Sequence, residues 1–184
     1  SSRGGYAARN FIAEPLDAAL VSQVVLCGAP NHGVYATAAN LGSEFNGRSF
    51  FLSRLNAGET ETPPGLPVLT LRSEGYDKFA QPDGASFGRP GLVTGVDENG
   101  PALRGATNLT LGRLDHRELA FHPRAFREMF RFLTGQEPAR IAIVPEAAPV
   151  LDGLVTGYPK ATPTNRPLAD ATVGRIFREI MSAC

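Results

Sequence analysis

Residues 1–12 read SSRGGYAARNFI. A Ser- and Gly-rich turn runs straight into a helix, with no strand before it. Tyr6, Ala7, Phe11 and Ile12 recur near the helical period and predict an amphipathic helix over 3–14, which Pro15 stops. Outward from this stretch, VSQVVLC (21–27) reads as a buried strand and GAPNHG (28–33) turns the chain. Residues 34–56 are mixed, with SFFLSRL (49–55) as an apolar helical segment. GETETPPGLP (58–67) is a loop by its Gly and Pro content. PVLTLRS (67–73) is a second buried strand, a short apolar and β-branched run between turn signals.

Residues 74–104 are rich in Gly, Pro and Asp and read as long loops, a common place for functional residues. ATNLTLGRL (106–114) predicts a third strand. HPRAFREMFRFLTG (122–135) predicts the clearest helix, with Pro123 in its first turn and Gly135 just past its end. Phe126, Met129, Phe130 and Leu133 are its expected packing face. Strands alternating with helices predict an α/β fold with a parallel sheet. From 138 the chain changes to short β-like runs between Pro and Gly turns. The expected organisation is therefore a main domain over 1–137 and a small β-rich appendage over 138–184.

The 184 residues suffice for one domain with a core and a small addition. The formal net charge is zero, so there is no basic excess to hold a nucleic acid. No apolar run approaches the roughly 18 residues of a membrane span. The two cysteines, Cys27 and Cys184, and the three histidines, His32, His116 and His122, show no metal-ligand spacing. The sequence calls for no metal and no cofactor.

The opening turn carries chemistry. In the G-x-S-x-G elbow, a sharp turn into a helix holds a Ser hydroxyl outward, and small neighbours let the turn pack tightly. Ser1-Ser2-Arg3-Gly4-Gly5 matches x-S-x-G-G, which puts Ser2 at the nucleophile position. Asp77 follows the second strand and His116 follows the third, both at carboxyl ends of expected parallel strands, where α/β sites are built. Ser, then acid, then His is the chain order of such a triad. Asp83 and Asp115 compete with Asp77, and His122 competes with His116, although His122 stands where a helix cap would.

SRGGYAARNFI (2–12), VVLCGAPNHGV (24–34), PVLTLRSEGYDKFAQPDG (67–84) and LDHRELAFHPRAF (114–126) together resemble the C-terminal part of an α/β-hydrolase of the lipase and esterase kind. They match its elbow and helix, its T-P-x-H-G turn, its acid loop and its His loop. The resemblance covers roughly 1–135. It implies a serine hydrolase that cleaves carboxylic esters with apolar acyl groups through an acyl-enzyme. Ser2 would attack, His116 would take and return the proton, and Asp77 would orient the imidazole. The Arg3 N–H would give one oxyanion donor. His32, at the T-P-x-H-G position, is read as structural or as lining the site, and Phe50, Phe51 and Leu52 as core or acyl-pocket residues. The resemblance also implies export, to the periplasm or outside the cell.

A sheet that starts at the elbow lacks its first strands and leaves an open edge. The expectation is a partner: an upstream chain of the same precursor, separated by a cut before Ser1, with Ser1 as the candidate self-processing residue. Two other readings remain open: an amidase with Ser1 as N-terminal nucleophile, and a non-catalytic interaction module.

Overall fold

The computed structural model describes residues 1–85 and 89–144, with Gly153, Val155, Thr156, Ala169 and Asp170 beyond them. Two compact units divide the chain, Ser1–Ile143 and Val144–Cys184. Residues 138–144 form no helix or strand, and most of the expected β-rich appendage lies outside the described residues. No helix among the described residues is long and apolar enough to cross a membrane.

The first unit is mixed α/β. In chain order it contains α1 (Gly4–Ile12), α2 (Pro15–Ala18), β1 (Val24–Cys27), α3 (Phe50–Leu55), β2 (Val68–Arg72), β3 (Asp83–Gly84), β4 (Arg89–Val93), β5 (Thr107–Thr110), a 3-10 turn (Glu118–Ala120) and α4 (Pro123–Thr134). β1, β2 and β5 form a parallel sheet in the order β1-β2-β5, in register Val24↔Val68 and Leu69↔Thr107. All three fall inside the stretches that the sequence marks as strands.

Side chains alternate across these strands and bury both faces. On one face Val24, Leu26 and Val68 pack with Ile12 of α1, Leu66 and Leu103. On the other, Cys27, Leu69 and Leu71 pack with Leu114, Leu119 and Ala125 of α4. A third cluster seats α3 on α1: Tyr6 meets Leu52 and Leu55, with Phe45 and Phe51 edge-on to its ring. Burial pushes the Tyr6 phenol pKa upward, and its hydroxyl donates to Pro30 O at 2.9 Å.

The structure corrects four local expectations. The buried face of α1 is Gly5, Tyr6, Arg9 and Ile12, whereas Ala7 is exposed and Phe11 is 44% exposed. A hydropathy stripe passes over Arg9 because it is charged, so the inferred face was turned by one position. The helix expected somewhere in 34–56 is confined to α3, with Ser49 as its cap: Ser49 Oγ accepts the Leu52 N–H. The loop expected over 74–104 includes the antiparallel β3–β4 pair. Two-residue β3 and a Pro-containing β4 carry no strand signal of their own.

The fourth correction concerns α4. Its ends are as the sequence indicates, with His122 as N-cap, Pro123 in the first turn and Gly135 as C-cap. Its core contacts, however, are Ala125, Met129 and Phe132. These are spaced i, i+4, i+7, one stripe of a helix. Of the expected face only Met129 joins them; Phe126 and Leu133 are 42% and 48% exposed, and Phe130 stacks on Phe126 at 5.7 Å. So many aromatic residues occur in this helix that two apolar stripes exist, and the small Ala125 allows the inner one to approach the sheet. Phe132→Ala should lower the unfolding free energy by about 2–3 kcal/mol, and Phe126→Ala by less than about 1 kcal/mol. Urea denaturation of the two variants checks this, and the reverse order would turn the buried face round.

Candidate functional site

The turn before α1 is held by its backbone. Ser2 N–H donates to Cys27 O at 2.8 Å, which fixes the turn to the last residue of β1. Ser2 has φ +50°, in the left-handed region that costs a side-chain-bearing residue of order 1–3 kcal/mol. Helical bonding begins at once, with Gly4 N–H to Ser1 O and Gly5 N–H to Ser2 O. A Cβ at Gly5 would stand 2.5 Å from the Ala29 methyl, so glycine is what lets α1 lie against the turn after β1. Ser2 is partly exposed, and its hydroxyl has no hydrogen-bond partner among the described residues. Ser2 is thus a serine in left-handed backbone with a free hydroxyl at a helix start.

The Arg3 N–H, next in line, has no backbone acceptor among the described residues, as expected of the first amides of a helix. The Arg3 side chain turns away to pair with Glu44 and lies over the Phe45 ring.

Asp77 and His116 meet. Asp77 is 2% exposed, and its Oδ2 is 2.7 Å from His116 Nδ1. Its Oδ1 accepts the Phe79 N–H at 2.9 Å. A carboxylate only accepts, so the imidazole hydrogen sits on Nδ1 and Nε2 is left bare in the neutral ring. Phe79 packs edge-on to the His116 ring at 5.0 Å. Gly28, with φ +58°, also lies close to the ring: a Cβ there would be 3.0 Å from His116 Cε1. The loop that carries His116 is fixed to β2 by Leu114 N–H donating to Ser73 Oγ.

Ser1, Ser2, Asp77 and His116 all line one cavity of about 480 Å³ at the carboxyl ends of β1 and β2. Ala29, Val34, Phe45 and Phe79 are among its apolar lining and Asn31, His32 and Asn108 among its polar lining. Such a cavity holds a small organic ligand with a few polar contacts. No bond joins Ser2 Oγ to His116; the two share the cavity, and such bonds commonly tighten only when substrate is bound.

The rivals have other occupations. Asp83 accepts the Ala85 and Gly91 N–H groups and fastens the β3–β4 pair. Asp115 accepts the Arg117 and Glu118 N–H groups, and those amides hold its carboxyl below the usual range. His122 caps α4 by accepting the Arg124 N–H. Phe50, Phe51 and Leu52 do not line the cavity: Leu52 is fully buried in the α1–α3 cluster and Phe50 is 76% exposed. Phe45 is the apolar residue of that region that reaches the cavity.

One feature of the site has no sequence signal. His32 Nε2 is 2.8 Å from Oε1 of Glu61, whose side chain is wholly buried. Glu61 lies in the stretch GETETPPGLP, which reads as a loop by its Gly and Pro content.

No family model matches the chain, and no curated protein gives a significant match.

The geometry sets the two ring tautomers. Nitrogen NMR of histidine-labelled protein at mildly alkaline pH should find His116 with its hydrogen on Nδ1 and His32 with its hydrogen on Nε2. Asp77→Ala should abolish the first signature, while Asp83→Ala and Asp115→Ala should leave it. A His116 tautomer indifferent to Asp77 would remove the pair from the site.

Proposed function

We propose that this chain carries the catalytic residues of a serine hydrolase that cleaves carboxylic esters with apolar acyl groups. The observation that carries the reading is the Asp77–His116 pair opening on the same cavity as Ser2, a serine in left-handed backbone at the start of α1. The hydrolase family, the reaction and the residue roles are all part of this proposal.

The steps follow from the arrangement. Ser2 Oγ bonds to the ester carbonyl carbon as its proton passes to the bare Nε2 of His116. The carbonyl oxygen becomes an oxyanion facing the free N–H of Arg3. Asp77, fixed by its own bond from Phe79, keeps the hydrogen on Nδ1 and stabilises the imidazolium. Collapse breaks the bond to the alcohol oxygen, which takes the proton from Nε2 and leaves an acyl-Ser2. Water then attacks that ester, giving its proton to Nε2, and the acid departs as Ser2 regains its hydrogen. The apolar side of the cavity, Val34, Phe45 and Phe79, suits an acyl chain.

The same reading has an upstream polypeptide extending the sheet along β1. What supports it is that β1 is an edge strand of the three-stranded sheet while Val24, Leu26 and Cys27 are buried.

The test is covalent. A fluorophosphonate should modify Ser2, located by peptide mass spectrometry, and Ser2→Ala should lose both the adduct and, by roughly 10⁴–10⁶ in kcat, ester turnover. An adduct on Ser1 would transfer the chemistry to an N-terminal nucleophile. Asp77→Asn should lower kcat by about 10⁴ with the fold retained, because it favours the wrong imidazole tautomer. Full activity in that variant, with loss in Asp83→Asn, would move the acid's role.

A further inference from the structure

The cavity contains a second histidine held by a second buried carboxylate, and the ester-hydrolase reading gives it no work. His32 follows β1 in the turn Gly28–Gly33, and its side chain is 19% exposed and lines the cavity. Its Nε2 is fixed at 2.8 Å from Glu61 Oε1. Glu61 is already compensated: Oε1 also meets Arg104 Nη1 at 3.1 Å, and Oε2 accepts the Arg104 N–H at 2.8 Å. The backbone on both sides of the pair is pinned, because the buried Arg9 donates to Asn31 O at 2.7 Å and to Glu61 O at 3.4 Å.

These contacts leave one atom to explain. A carboxylate needs a donor, so in the neutral ring Nε2 carries the hydrogen and Nδ1 is a lone-pair acceptor. Nδ1 has no partner among the described residues. It belongs to a ring held by its other nitrogen, which lines the cavity together with Ala29, Pro30 and Val34, residues that offer no side-chain donor. His116 has the reverse arrangement, pinned at Nδ1 and bare at Nε2. The two neutral rings of this cavity are thus opposite tautomers, and the ester-hydrolase reading uses only one of them to move a proton.

We infer that His32 is a specificity-determining residue: its Nδ1 accepts a hydrogen bond from a hydroxyl on the substrate, so hydroxyl-bearing esters are preferred over their plain counterparts. This rests on the ester-hydrolase reading and deepens it. A site with an unmet acceptor discriminates against a ligand that cannot fill it, because the acceptor loses water and gains nothing. The ring is partly exposed, so the discrimination expected is about 10- to 100-fold, below that of a fully enclosed polar pocket.

The experiment compares p-nitrophenyl esters of an unbranched acid with a series hydroxylated at successive carbons. The readout is the ratio of kcat/KM, hydroxylated over plain, within each enzyme. The wild-type chain should show a ratio of about 10–100 for at least one hydroxyl position. The ratio should fall to near unity in His32→Phe, which keeps the ring shape without nitrogen. It should also fall in His32→Lys, which still donates to Glu61 but has no acceptor atom, and this variant decides the matter if thermal melting shows His32→Phe to be unfolded. A ratio near unity throughout the series in the wild type, or a preference that survives both substitutions, overturns the inference. Fluorophosphonate labelling of Ser2 separates the two levels. A wild type that is labelled and hydrolyses the plain ester without a hydroxyl preference sinks His32 alone. One that is neither labelled nor active sinks the hydrolase reading and this inference with it.

Discussion

A single buried cation joins the pieces from which the cavity is made. Arg9 projects from the second turn of α1 and is 3% exposed. Its Nη1 donates to Asn31 O, and its Nη2 to Leu55 O, Asn56 Oδ1 and Glu61 O. Those acceptors belong to the turn after β1, the end of α3 and the loop before β2. Burial pulls the guanidinium pKa down while Glu61 pushes it back up, and an arginine remains charged under both influences. Its buried Nε–H has no partner among the described residues, so the two Nη groups carry the compensation, and the bonds they donate bring three separate segments together on α1. Apolar packing could hold these segments near one another. Directional bonds to carbonyls fix where each one lies.

The consequences reach the cavity by short paths. The turn that gives a carbonyl to Arg9 also gives its Pro30 carbonyl to Tyr6 and places Ala29 against Gly5, so α1 and this turn are in contact at three levels. The left-handed backbone at Ser2 is then held from both sides, by Cys27 O and by the helix that starts beside it. Strain of this kind persists only where the surroundings determine the backbone more strongly than the local preference does. Gly28, one residue past β1, leaves space for the His116 ring, so the same turn serves the serine, the imidazole and His32.

Much of this frame is legible in the sequence because it depends on local rules. VVLC, VLTLR and TNLT are short apolar or β-branched runs between turn residues, and they form β1, β2 and β5. Asp77 and His116 could be picked because each follows a strand end, and the structure brings their side chains to 2.7 Å. What local rules miss is a polar residue with a buried purpose. Arg9 is charged and so adds nothing to the apolar stripe of α1, and Glu61 lies in a loop among Gly, Thr and Pro. Both are buried because they satisfy groups distant in the chain, and hydropathy in a window cannot register such partners. The β3–β4 pair escaped for a related reason: Asp83 fastens it by accepting the Ala85 and Gly91 amides, not by a run of strand-forming residues.

The carboxylates that hold the two histidines differ in what surrounds them: Asp77 lines the cavity, whereas Glu61 is wholly buried and does not line it. Asp77 has one backbone amide and one imidazole as its close partners, with Phe79 covering the ring, so the charge it presents is directed at His116. Glu61 instead divides its charge among an arginine side chain, a backbone amide and His32. With Arg104 also paired to it, Glu61 fixes which nitrogen of the His32 ring donates. Asp77 thus leaves Nε2 as the bare nitrogen of one neutral ring, and Glu61 leaves Nδ1 as the bare nitrogen of the other.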